Sequence, residues 1–433
     1  MSTVTIEPKR IHGELTLPPD KSISHRAVII GSLAQGRTRV KNLSFCDDCT
    51  RTLSAFKEMG VSIAQEDGGL SIEGKGLLGL QKPKKELYLG NSGTSMRLIL
   101  GVLAGQKFSC MLTGDDSLSH RPMKRVTEPL SLMGAKIEGR EGGNFAPLSI
   151  QGGNLRAISY RTPMASAQVK SAILLAGLYA TGNTVVSFSA QSRDHTERML
   201  KKFGADVLMQ GLSVSIFGKR GLIARDLEVP GDISSASFFL AAACINRDSQ
   251  IATKSIGLNP TRTAFLDVLK EMGASLSIKY DDPQMAKEEY QDEATGEVVA
   301  SYSQLRGITI YPERIPLVID ELPVLMVVAT QAKGETKICG AGELRVKETD
   351  RINAMVINLS KMGADIENCG DDIVVHGPTR LKGVLVDSFH DHRTAMSMAV
   401  AGLIAEGRTT IESADCVDIS FPGFFDKLSG LVC

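Results

Sequence analysis

The sequence predicts an α/β protein of two similar domains, each built from three repeats of one unit that contains a buried helix. The chain has 433 residues, which is too long for one hydrophobic core and fits two domains. A helix–Gly–strand pattern recurs six times along it. A second, more apolar helix recurs as often. Six units in this length leave roughly 70 residues for each, which is enough for two helices and several strands.

The first repeated pattern is the end of a helix, a glycine, usually Ala or Val, and then a strand. Each glycine is expected just after its helix, where the chain leaves through the left-handed region that favours glycine. The six glycines, the last in a degenerate copy, are Gly60, Gly134, Gly204, Gly273, Gly363 and Gly430.

The second repeated pattern is a helix that is apolar on all sides and is followed by a turn and a strand. Such a helix is expected inside its domain. The six predicted buried helices are 24–33, 94–104, 167–179, 234–244, 322–330 and 394–404. A domain boundary is predicted near Val229-Pro230-Gly231, because Pro and Gly suit a crossing between domains. The fourth repeat is longer, and its acidic and Lys-rich segment around 281–300 is expected to be a solvated insertion.

Composition and charge restrict the possible partners. Lys and Arg number 49, as do Asp and Glu, so the net charge is zero. No overall basic field is available to hold nucleic acid or an anionic membrane. Residues 1–10 lack the apolar core of a signal peptide, and the charge-free stretch 171–192 is interrupted by Gly177 and Gly182. We therefore predict a cytoplasmic protein whose partners are small molecules.

Metal and cofactor motifs are weak in this chain. Of eight cysteines, only Cys46 and Cys49 form a C-x-x-C pair, and a four-ligand zinc site needs a second pair. Free thiols are predicted, with zinc or redox chemistry as the minor alternative. Segment 74–79 matches G-x-G-x-x-G, but Pro83 and charged residues follow, so it does not open a helix. No metal or dinucleotide is expected.

In the first half, the predicted buried helices begin with cations, hydroxyls and bare backbone. The three starts are 18–26, 90–97 and 165–170. A helix N-terminus presents unpaired N–H groups and partial positive charge, so it attracts phosphate or carboxylate. Lys21 and Arg26 add full charges, and Gly93 permits close approach of a ligand. Simple capping by Ser or Asn is enough to explain any one of these helix starts. Three such starts in one domain favour an anion-binding site instead.

In the second half, the corresponding starts are acidic: Asp232, Asp320 and Asp391. Capping alone suffices for Asp232. Arg393, two residues after Asp391, is predicted at a helix start, where the positive end of the helix dipole repels its guanidinium. This position is favourable only if an anion lies between the guanidinium and the helix end.

Two further segments carry clustered charge. Segment 345–351 contains three cations and two carboxylates, for which a solvated helix surface is the alternative. Arg121 lies just before another predicted helix. Together these features predict a site for a multiply anionic substrate pair and proton transfer between its members.

These residues resemble the enolpyruvyl transferase family over the whole chain. One motif would be weak, whereas six in the same order are specific. The motifs are Lys21-Ser22-x-Ser24-x-Arg26, Asn91-x-Gly93-Thr94-x-x-Arg97, Arg121-Pro122-Met123, Ser166-Ala167-Gln168, Arg345-x-Lys347-Glu348-x-Asp350-Arg351 and Asp391-His392-Arg393. Glu343 and the Ser-Ala-Gln motif are similar to the class II subgroup.

The resemblance implies a fold of two domains, each with three repeats of a βαβαββ-type unit with buried helices, an inside-out α/β barrel. Domain 19–229 would hold 3-phosphoshikimate, and 1–18 with 230–433 would complete the phosphoenolpyruvate site. The implied reaction transfers the enolpyruvyl group of phosphoenolpyruvate to the 5-hydroxyl of 3-phosphoshikimate and releases phosphate, in the shikimate pathway to chorismate. A monomer without a cofactor is expected.

Carried over by position, the resemblance also implies the site residues. Those for 3-phosphoshikimate are Lys21, Ser22, Arg26, Ser166, Ala167 through its backbone, Gln168, Arg193, Asp320 and Lys347. Those for phosphoenolpyruvate are Lys21, Gly93, Arg121, Gln168, Arg351 and Arg393. Asp320 would take the proton from the 5-hydroxyl, while Glu348, helped by Lys21, would protonate the enol methylene. Gly93 implies inhibition by glyphosate, and Ile419 stands where some members carry Lys.

Two alternatives stay open at this point. In the sister enzyme that acts on UDP-N-acetylglucosamine, a reactive Cys lies five residues before the Arg-Pro pair. Here that position is Asp116, and Cys110 lies too early. A non-catalytic repeat protein that binds phosphorylated metabolites is the other alternative, and it predicts that Asp320 and Glu348 are dispensable.

Overall fold

The chain crosses twice between two structural units. In this computed structural model, Pro19–Val229 form one unit, and Met1–Pro18 with Pro230–Cys433 form the other. We call them the N-terminal unit and the C-terminal unit. The structure describes residues 2–66, 68–287 and 292–432.

Helices occur in every repeat. The α-helices of the described residues are α1 (Lys21–Leu33), α2 (Asp47–Glu58), α3 (Gly93–Leu103), α4 (Asp116–Ser119), α5 (Lys124–Met133), α6 (Arg140–Gly143), α7 (Ala167–Gly177), α8 (His195–Lys202), α9 (Ile233–Ile245), α10 (Ala264–Glu271), α11 (Ile315–Val318), α12 (Leu322–Ala329), α13 (Arg351–Lys361), α14 (His392–Gly402) and α15 (Phe424–Gly430). Short 3₁₀ helices span Pro283–Ala286, Gly342–Val346 and Ala414–Ile419.

The strands are short and form mixed sheets. They are β1 (Thr3–Ile6), β2 (His12–Thr16), β3 (Ala34–Lys41), β4 (Ser62–Glu66), β5 (Gly69–Lys75), β6 (Leu87–Tyr88), β7 (Ser109–Thr113), β8 (Lys136–Gly139), β9 (Phe145–Gln151), β10 (Ser159–Arg161), β11 (Asn183–Ser187), β12 (Asp206–Gln210), β13 (Ser213–Phe217), β14 (Leu222–Ile223), β15 (Leu227–Glu228), β16 (Gln250–Gly257), β17 (Ser275–Tyr280), β18 (Thr295–Ser301), β19 (Thr309–Ile310), β20 (Gly334–Ile338), β21 (Asp365–Cys369), β22 (Asp372–Gly377), β23 (Leu385–Asp387) and β24 (Thr409–Glu412).

The repeated unit has the order βαβαββ, and each complete copy forms one sheet. In one copy, β6 and β7 are parallel and joined through α3, and the β8–β9 pair then places β9 beside β7. Two other copies have the same arrangement, with orders β10-β11-β13-β12 and β19-β20-β22-β21. The predicted α/β fold with its repeated unit is therefore confirmed.

Distant segments complete the remaining sheets. In the N-terminal unit, β3 takes its parallel neighbours β14 and β15 from the end of that unit. In the C-terminal unit, β16 pairs in parallel with β2 from the start of the chain, and β24 pairs with both β1 and β23. The first residues of the chain thus close two sheets of the C-terminal unit.

The six apolar helices are buried, as the sequence predicts. They are α1, α3, α7, α9, α12 and α14, and their observed ends lie within three residues of the predicted ones. All thirteen residues of α9 are buried. Each unit has its own hydrophobic core around three of these helices. Among the described residues, we find no helix whose length and hydropathy would let it span a bilayer.

One repeated glycine and part of the predicted insertion differ from the sequence prediction. Five of the six repeated glycines have φ between 85° and 117°, as expected, but Gly430 is the last residue of α15 itself. The predicted insertion 281–300 is wrong in its second part, because β18 pairs with β16 and β17. Val298 and Ala300 of this strand are fully buried, so alternation of apolar residues outweighs the charged composition. Residues 288–291 of the segment lie outside the described residues.

Candidate active site

Five of the six buried helices begin with a side-chain cap, which fixes the position of the residues around these starts; α12 has no such cap. Asp20, Ser92 and Ser166 in the N-terminal unit, and Asp232 and Asp391 in the C-terminal unit, each accept a hydrogen bond from a backbone N–H of the first turn. These bonds satisfy donors that a helix leaves unpaired. Capping is thus the observed role of Asp232, as the sequence predicts.

The start of α1 places two cations. Lys21 Nζ lies 3.0 Å from Asp48 Oδ2 on α2. Arg26, one turn later, is 4% exposed, and its Nε donates to Thr196 Oγ1 at 2.6 Å. Its two other nitrogens donate to Ser22 O at 2.8 Å and Ser171 Oγ at 3.0 Å. Three neutral oxygens therefore hold this guanidinium in place.

The start of α3 lies against two guanidinium groups. A Cβ built on Gly93 would lie 2.9 Å from Arg97 Nη1 and 3.4 Å from Arg121 Nη1. Arg121 Nη1 also donates to Asn91 O at 3.2 Å, and its Nη2 to the Asn91 side chain. The absence of a side chain at Gly93 leaves bare backbone beside two nearly buried cations.

The start of α7 joins this group through an amide. Gln168 Oε1 accepts from Arg97 Nη1 at 2.6 Å, and Gln168 Nε2 donates to Thr94 Oγ1 at 2.9 Å. Ser166 is the cap of α7, and Ala167 is its first residue. The starts of α3 and α7 are thereby held together by side-chain hydrogen bonds.

A buried ion pair lies one turn further along α7. Lys170 Nζ is 2.5 Å from Glu197 Oε1, and both side chains are at most 2% exposed. Lys170 also lies 4.9 Å from the centre of the Phe188 ring. Arg193, half-buried, precedes α8. We call Lys21, Ser22, Arg26, Gly93, Arg97, Arg121, Ser166, Ala167 and Gln168 the cationic cluster.

In the C-terminal unit, three carboxylates meet one buried guanidinium. Arg351 is 1% exposed. Its Nε donates to Asp391 Oδ2 at 2.8 Å, its Nη2 donates to Glu348 Oε2 at 2.6 Å, and its Nη1 lies 3.5 Å from Asp320 Oδ1. Burial disfavours the charged guanidinium, but Asp391, Glu348 and Asp320 together outweigh it and raise the pKa of Arg351.

Asp320 connects this group to a second arginine. Arg393 Nη1 donates to the backbone oxygen of Asp320 at 2.6 Å, and its Nη2 lies 3.6 Å from Asp320 Oδ2. Asp320 lies two residues before α12 in the chain, whereas Arg393 is in the first turn of α14. A carboxylate of the protein therefore lies beside Arg393, and the predicted substrate anion there stays a prediction.

Lys347 belongs to the same group. Burial lowers its pKa, although Asp320, Glu348 and Glu343 favour the charged ammonium. Arg345 instead pairs with Asp350 at 2.9 Å, and Asp350 caps α13. Only part of segment 345–351 therefore joins the three carboxylates. We call Asp320, Lys347, Glu348, Arg351, Asp391 and Arg393 the acidic cluster.

Comparisons with known proteins identify the family. The profile of "EPSP synthase (3-phosphoshikimate 1-carboxyvinyltransferase)" matches residues 6–428. A protein of Bacillus cytotoxicus named 3-phosphoshikimate 1-carboxyvinyltransferase is 50% identical over 423 residues, 98% of each chain. One of the same name from Bacillus cereus (strain B4264) is 49% identical over 433 residues, 100% of each chain.

The chain belongs to the EPSP synthase family. A solved EPSP synthase structure from Acinetobacter baumannii superposes with a TM-score of 0.87 at 42% identity, covering 100% of this chain and 98% of that one. A second structure from the same organism gives 0.86 and 41%.

Within this EPSP synthase family chain, sequence reasoning missed several residues of the two clusters. Arg97 lies within a quoted motif, and its spacing of four residues from Gly93 places both on one face of α3. Asp391 was expected from its motif but without a site role. Thr196 and Ser171, which bind Arg26, gave no sequence signal, because they lie far along the chain and are ordinary polar residues.

Ile419 and the C-x-x-C pair can also be placed. Ile419 packs against the core of the C-terminal unit, so an apolar side chain is accommodated there. Cys46 and Cys49 are buried free thiols at the start of α2. A hydrogen bond from Cys49 lowers the pKa of Cys46 to about 7.

Proposed function

We propose that this chain transfers the enolpyruvyl group of phosphoenolpyruvate to the 5-hydroxyl of 3-phosphoshikimate and releases phosphate. Relatives named for this activity share about half of its residues over nearly their whole length. The proposed substrates carry phosphate and carboxylate groups, and the cationic cluster has the charge and bare backbone that bind such groups.

Substrate binding is assigned as the family resemblance implies. Ser22, Arg26, Ser166, Ala167, Gln168, Arg193 and Lys347 are proposed to bind 3-phosphoshikimate, and Gly93, Arg121, Gln168, Arg351 and Arg393 are proposed to bind phosphoenolpyruvate. Lys21 serves both. Residues of both clusters are assigned to one reaction, so substitutions in either cluster should lower the rate of the same phosphate release.

The chemistry needs one base and one acid. Asp320 accepts the proton of the 5-hydroxyl as this oxygen attacks C2 of phosphoenolpyruvate. Glu348, helped by Lys21, donates a proton to C3, which becomes a methyl group in a tetrahedral intermediate. In the second step both proton transfers reverse: the methyl group returns a proton to Glu348, Asp320 gives its proton to the leaving phosphate as the C–O bond breaks, and the enol ether forms. Positioned acid–base groups typically contribute about 10²–10⁴-fold to a rate.

The observation that carries this proposal is the shared contact of Asp320 and Glu348 with Arg351. The two carboxylates that would act as base and acid lie at 3.5 Å and 2.6 Å from nitrogens of one buried guanidinium. A rigid cation between them fixes their separation, and such pre-organisation is how a site orients proton transfer. Lys347, with its lowered pKa, borders the same group.

The test is phosphate release by the purified protein. It is expected with phosphoenolpyruvate plus 3-phosphoshikimate and not with phosphoenolpyruvate plus UDP-N-acetylglucosamine. Asp320→Asn and Glu348→Gln should each lower kcat by about 10²–10⁴-fold, whereas Glu335→Gln, at an exposed position of the same unit, should not. Release only with the nucleotide sugar, or no release with either acceptor, would refute the proposal.

Location and assembly are separate proposals. Because the chain has no net charge and its relatives are named for a metabolic reaction, we expect a cytoplasmic monomer that needs no cofactor. Light scattering during size-exclusion chromatography should give a mass near 46.4 kDa. Activity should persist after dialysis against a chelator.

A further inference from the structure

A cavity lies in the C-terminal unit, away from the acidic cluster. Its volume is about 860 Å³, and its wall includes Ile245, Gln331 and Leu403, which end or follow α9, α12 and α14. The acidic cluster lies at the starts of α12 and α14. These helices have eight and eleven residues, so their two ends are roughly 12–16 Å apart. A volume of this size suits a small molecule.

The wall of this cavity has one sign of charge. Among the described residues that line it, Lys9, Arg10, Arg247, Arg306 and Lys333 are cationic, and there is no Asp or Glu. The whole chain has equal numbers of cations and acids, so the cavity wall departs from the average. Low-dielectric walls with one sign of charge concentrate ions of the opposite sign.

The repeats provide an internal comparison for two of these cations. Just before three of the parallel strand pairs, one bridge joins the two chain segments: Arg156 to Thr181, Arg306 to Lys333, and Lys382 to Glu406. The cation faces a neutral residue in the first of these bridges and an acid in the third. Of these three bridges, the one at the cavity places two cations opposite each other, an arrangement that costs stability unless an anion compensates.

In the N-terminal unit, polar and aromatic side chains pack against each other after the corresponding helices. After α3 and α7, Gln106 Nε2 donates to Tyr179 Oη at 3.0 Å, and both residues are at least 90% buried. The Tyr179 ring lies directly against Gly105. In the C-terminal unit, the residues that follow the helices leave an open cavity instead. The repeated architecture itself therefore does not require a cavity at this end.

Helix dipoles offer a simpler explanation, because cations near helix C-termini are favourable. Arg10 also pairs with Asp248 at 3.1 Å, and Lys9 lies 4.0 Å from Glu7. In the part of the chain that the structure describes, the side chains of Arg247 and Lys333 have no hydrogen bond or ion pair. Three helix ends supply about −0.5 charge each, which is less than the charge of Arg247, Arg306 and Lys333, the lining cations that have no acidic partner among the described residues.

We propose that this cavity binds a small polyanion, a phosphorylated or polycarboxylated metabolite, at a site separate from the catalytic clusters. Arg306 and Lys333 would hold one anionic group between them, and Arg247 would bind a second. Ile245, Leu305 and Leu403 supply an apolar floor for the body of the ligand. The inference does not depend on the proposed reaction.

The test uses inorganic tripolyphosphate as the probe and isothermal titration calorimetry on the full chain. The double variant Arg247→Gln/Lys333→Gln should weaken one class of binding by about tenfold or more, since each charge-assisted contact is worth about tenfold. The control double variant Arg156→Gln/Lys382→Gln removes the same charge outside the cavity, at the bridge positions that correspond to Arg306 in two other repeats, and should bind as the wild type does. Without the probe, turnover of both double variants should be unchanged.

Other outcomes would overturn the proposal. Equal weakening in both double variants would mean diffuse attraction to surface charge. Binding that is lost only in Arg121→Gln would mean that the probe occupies the cationic cluster. If the helix dipoles alone explain the cations, Arg247→Gln/Lys333→Gln should lower the melting temperature and the probe should not raise that of the wild type. The proposed site predicts that tripolyphosphate raises the wild-type melting temperature and has less effect on the cavity variant.

Discussion

Arg351 and Asp391 form a buried ion pair that also determines where α14 begins. Asp391 Oδ2 accepts from Arg351 Nε at 2.8 Å, while its Oδ1 accepts from the backbone N–H groups of Arg393 and Thr394 at 2.8 Å and 3.0 Å. One carboxylate therefore holds both arginines of the acidic cluster in register. Its removal should disturb the site through Arg393 as well as through Arg351.

Loss of the Arg351 guanidinium should be severe. Arg351→Met leaves Asp391, Glu348 and Asp320 without their common partner, and breaking a buried pair costs about 3–5 kcal/mol. The midpoint of urea unfolding should fall accordingly. Adding Asp391→Asn to Arg351→Met should recover part of the loss, because one buried charge disappears while the cap of α14 is kept. If the losses of the two single variants simply add, the pair is not coupled.

Gly93→Ala tests the close approach at the start of α3. The new methyl group would meet Arg97 Nη1 at 2.9 Å, and Arg97 is held by Gln168 at 2.6 Å. The methyl group would also fill space beside Arg121, which is assigned to phosphoenolpyruvate. KM for phosphoenolpyruvate should therefore rise by about tenfold, the effect of one lost charge-assisted contact, and KM for 3-phosphoshikimate, to which Gln168 is also assigned, should rise less.

Glyphosate should inhibit the wild type in competition with phosphoenolpyruvate and inhibit Gly93→Ala less. Gly153→Ala is the matched control, because a Cβ at Gly153 meets nothing within 4 Å. Wild-type turnover that is unchanged at high glyphosate and low phosphoenolpyruvate would contradict the assignment of Gly93.

The charge of Lys347 should control substrate affinity at alkaline pH. Burial lowers its pKa, so the ammonium loses its proton at a lower pH than an exposed lysine. KM for 3-phosphoshikimate should therefore rise as the pH increases from 7.5 to 10. Lys347→Arg keeps its charge over this range and should show a smaller rise. The same pH dependence in both proteins would exclude Lys347 from phosphate binding.

His25 should make stability fall in acid. Burial lowers its pKa from 6.5 to about 3, so below pH 6.5 the unfolded chain binds a proton that the folded protein does not. Stability that is present above pH 6.5 is lost by ~1.4 kcal/mol per pH unit as the pH decreases towards 3. His25→Asn retains a polar group beside Thr52 Oγ1, which lies 2.7 Å from His25 Nδ1.

The measurement for His25 is the midpoint of urea unfolding at pH 7.5, 6 and 5. The comparison is between the slopes of the midpoint against pH, so that any difference between the two proteins at pH 7.5 cancels. A shallower decrease in His25→Asn is expected. Equal slopes would show that other groups cause the acid sensitivity.

Much of the fold was predictable because its signals are local. The apolar character of 234–244 or 322–330 depends on neighbouring residues alone, and so does the glycine after each outer helix. The charged helix starts, such as Lys21 and Arg393, were visible for the same reason. The prediction for 281–300 was wrong because it rested on the many charged residues of this segment. It overlooked the alternation of apolar residues that makes 295–301 a strand with one buried face.

The sequence by itself thus determined the repeats, the buried helices and the residues at their starts. Tertiary structure alone decided the partners: Arg351 binds Asp391 forty positions away, and Arg26 binds Thr196 across 170 positions. It also decided that cations from four distant segments line one cavity. Secondary structure depends on local backbone preferences and on the periodicity of apolar residues. The contacts between distant residues form only when the repeats pack together, because packing fixes the distances between residues that are far apart in the chain.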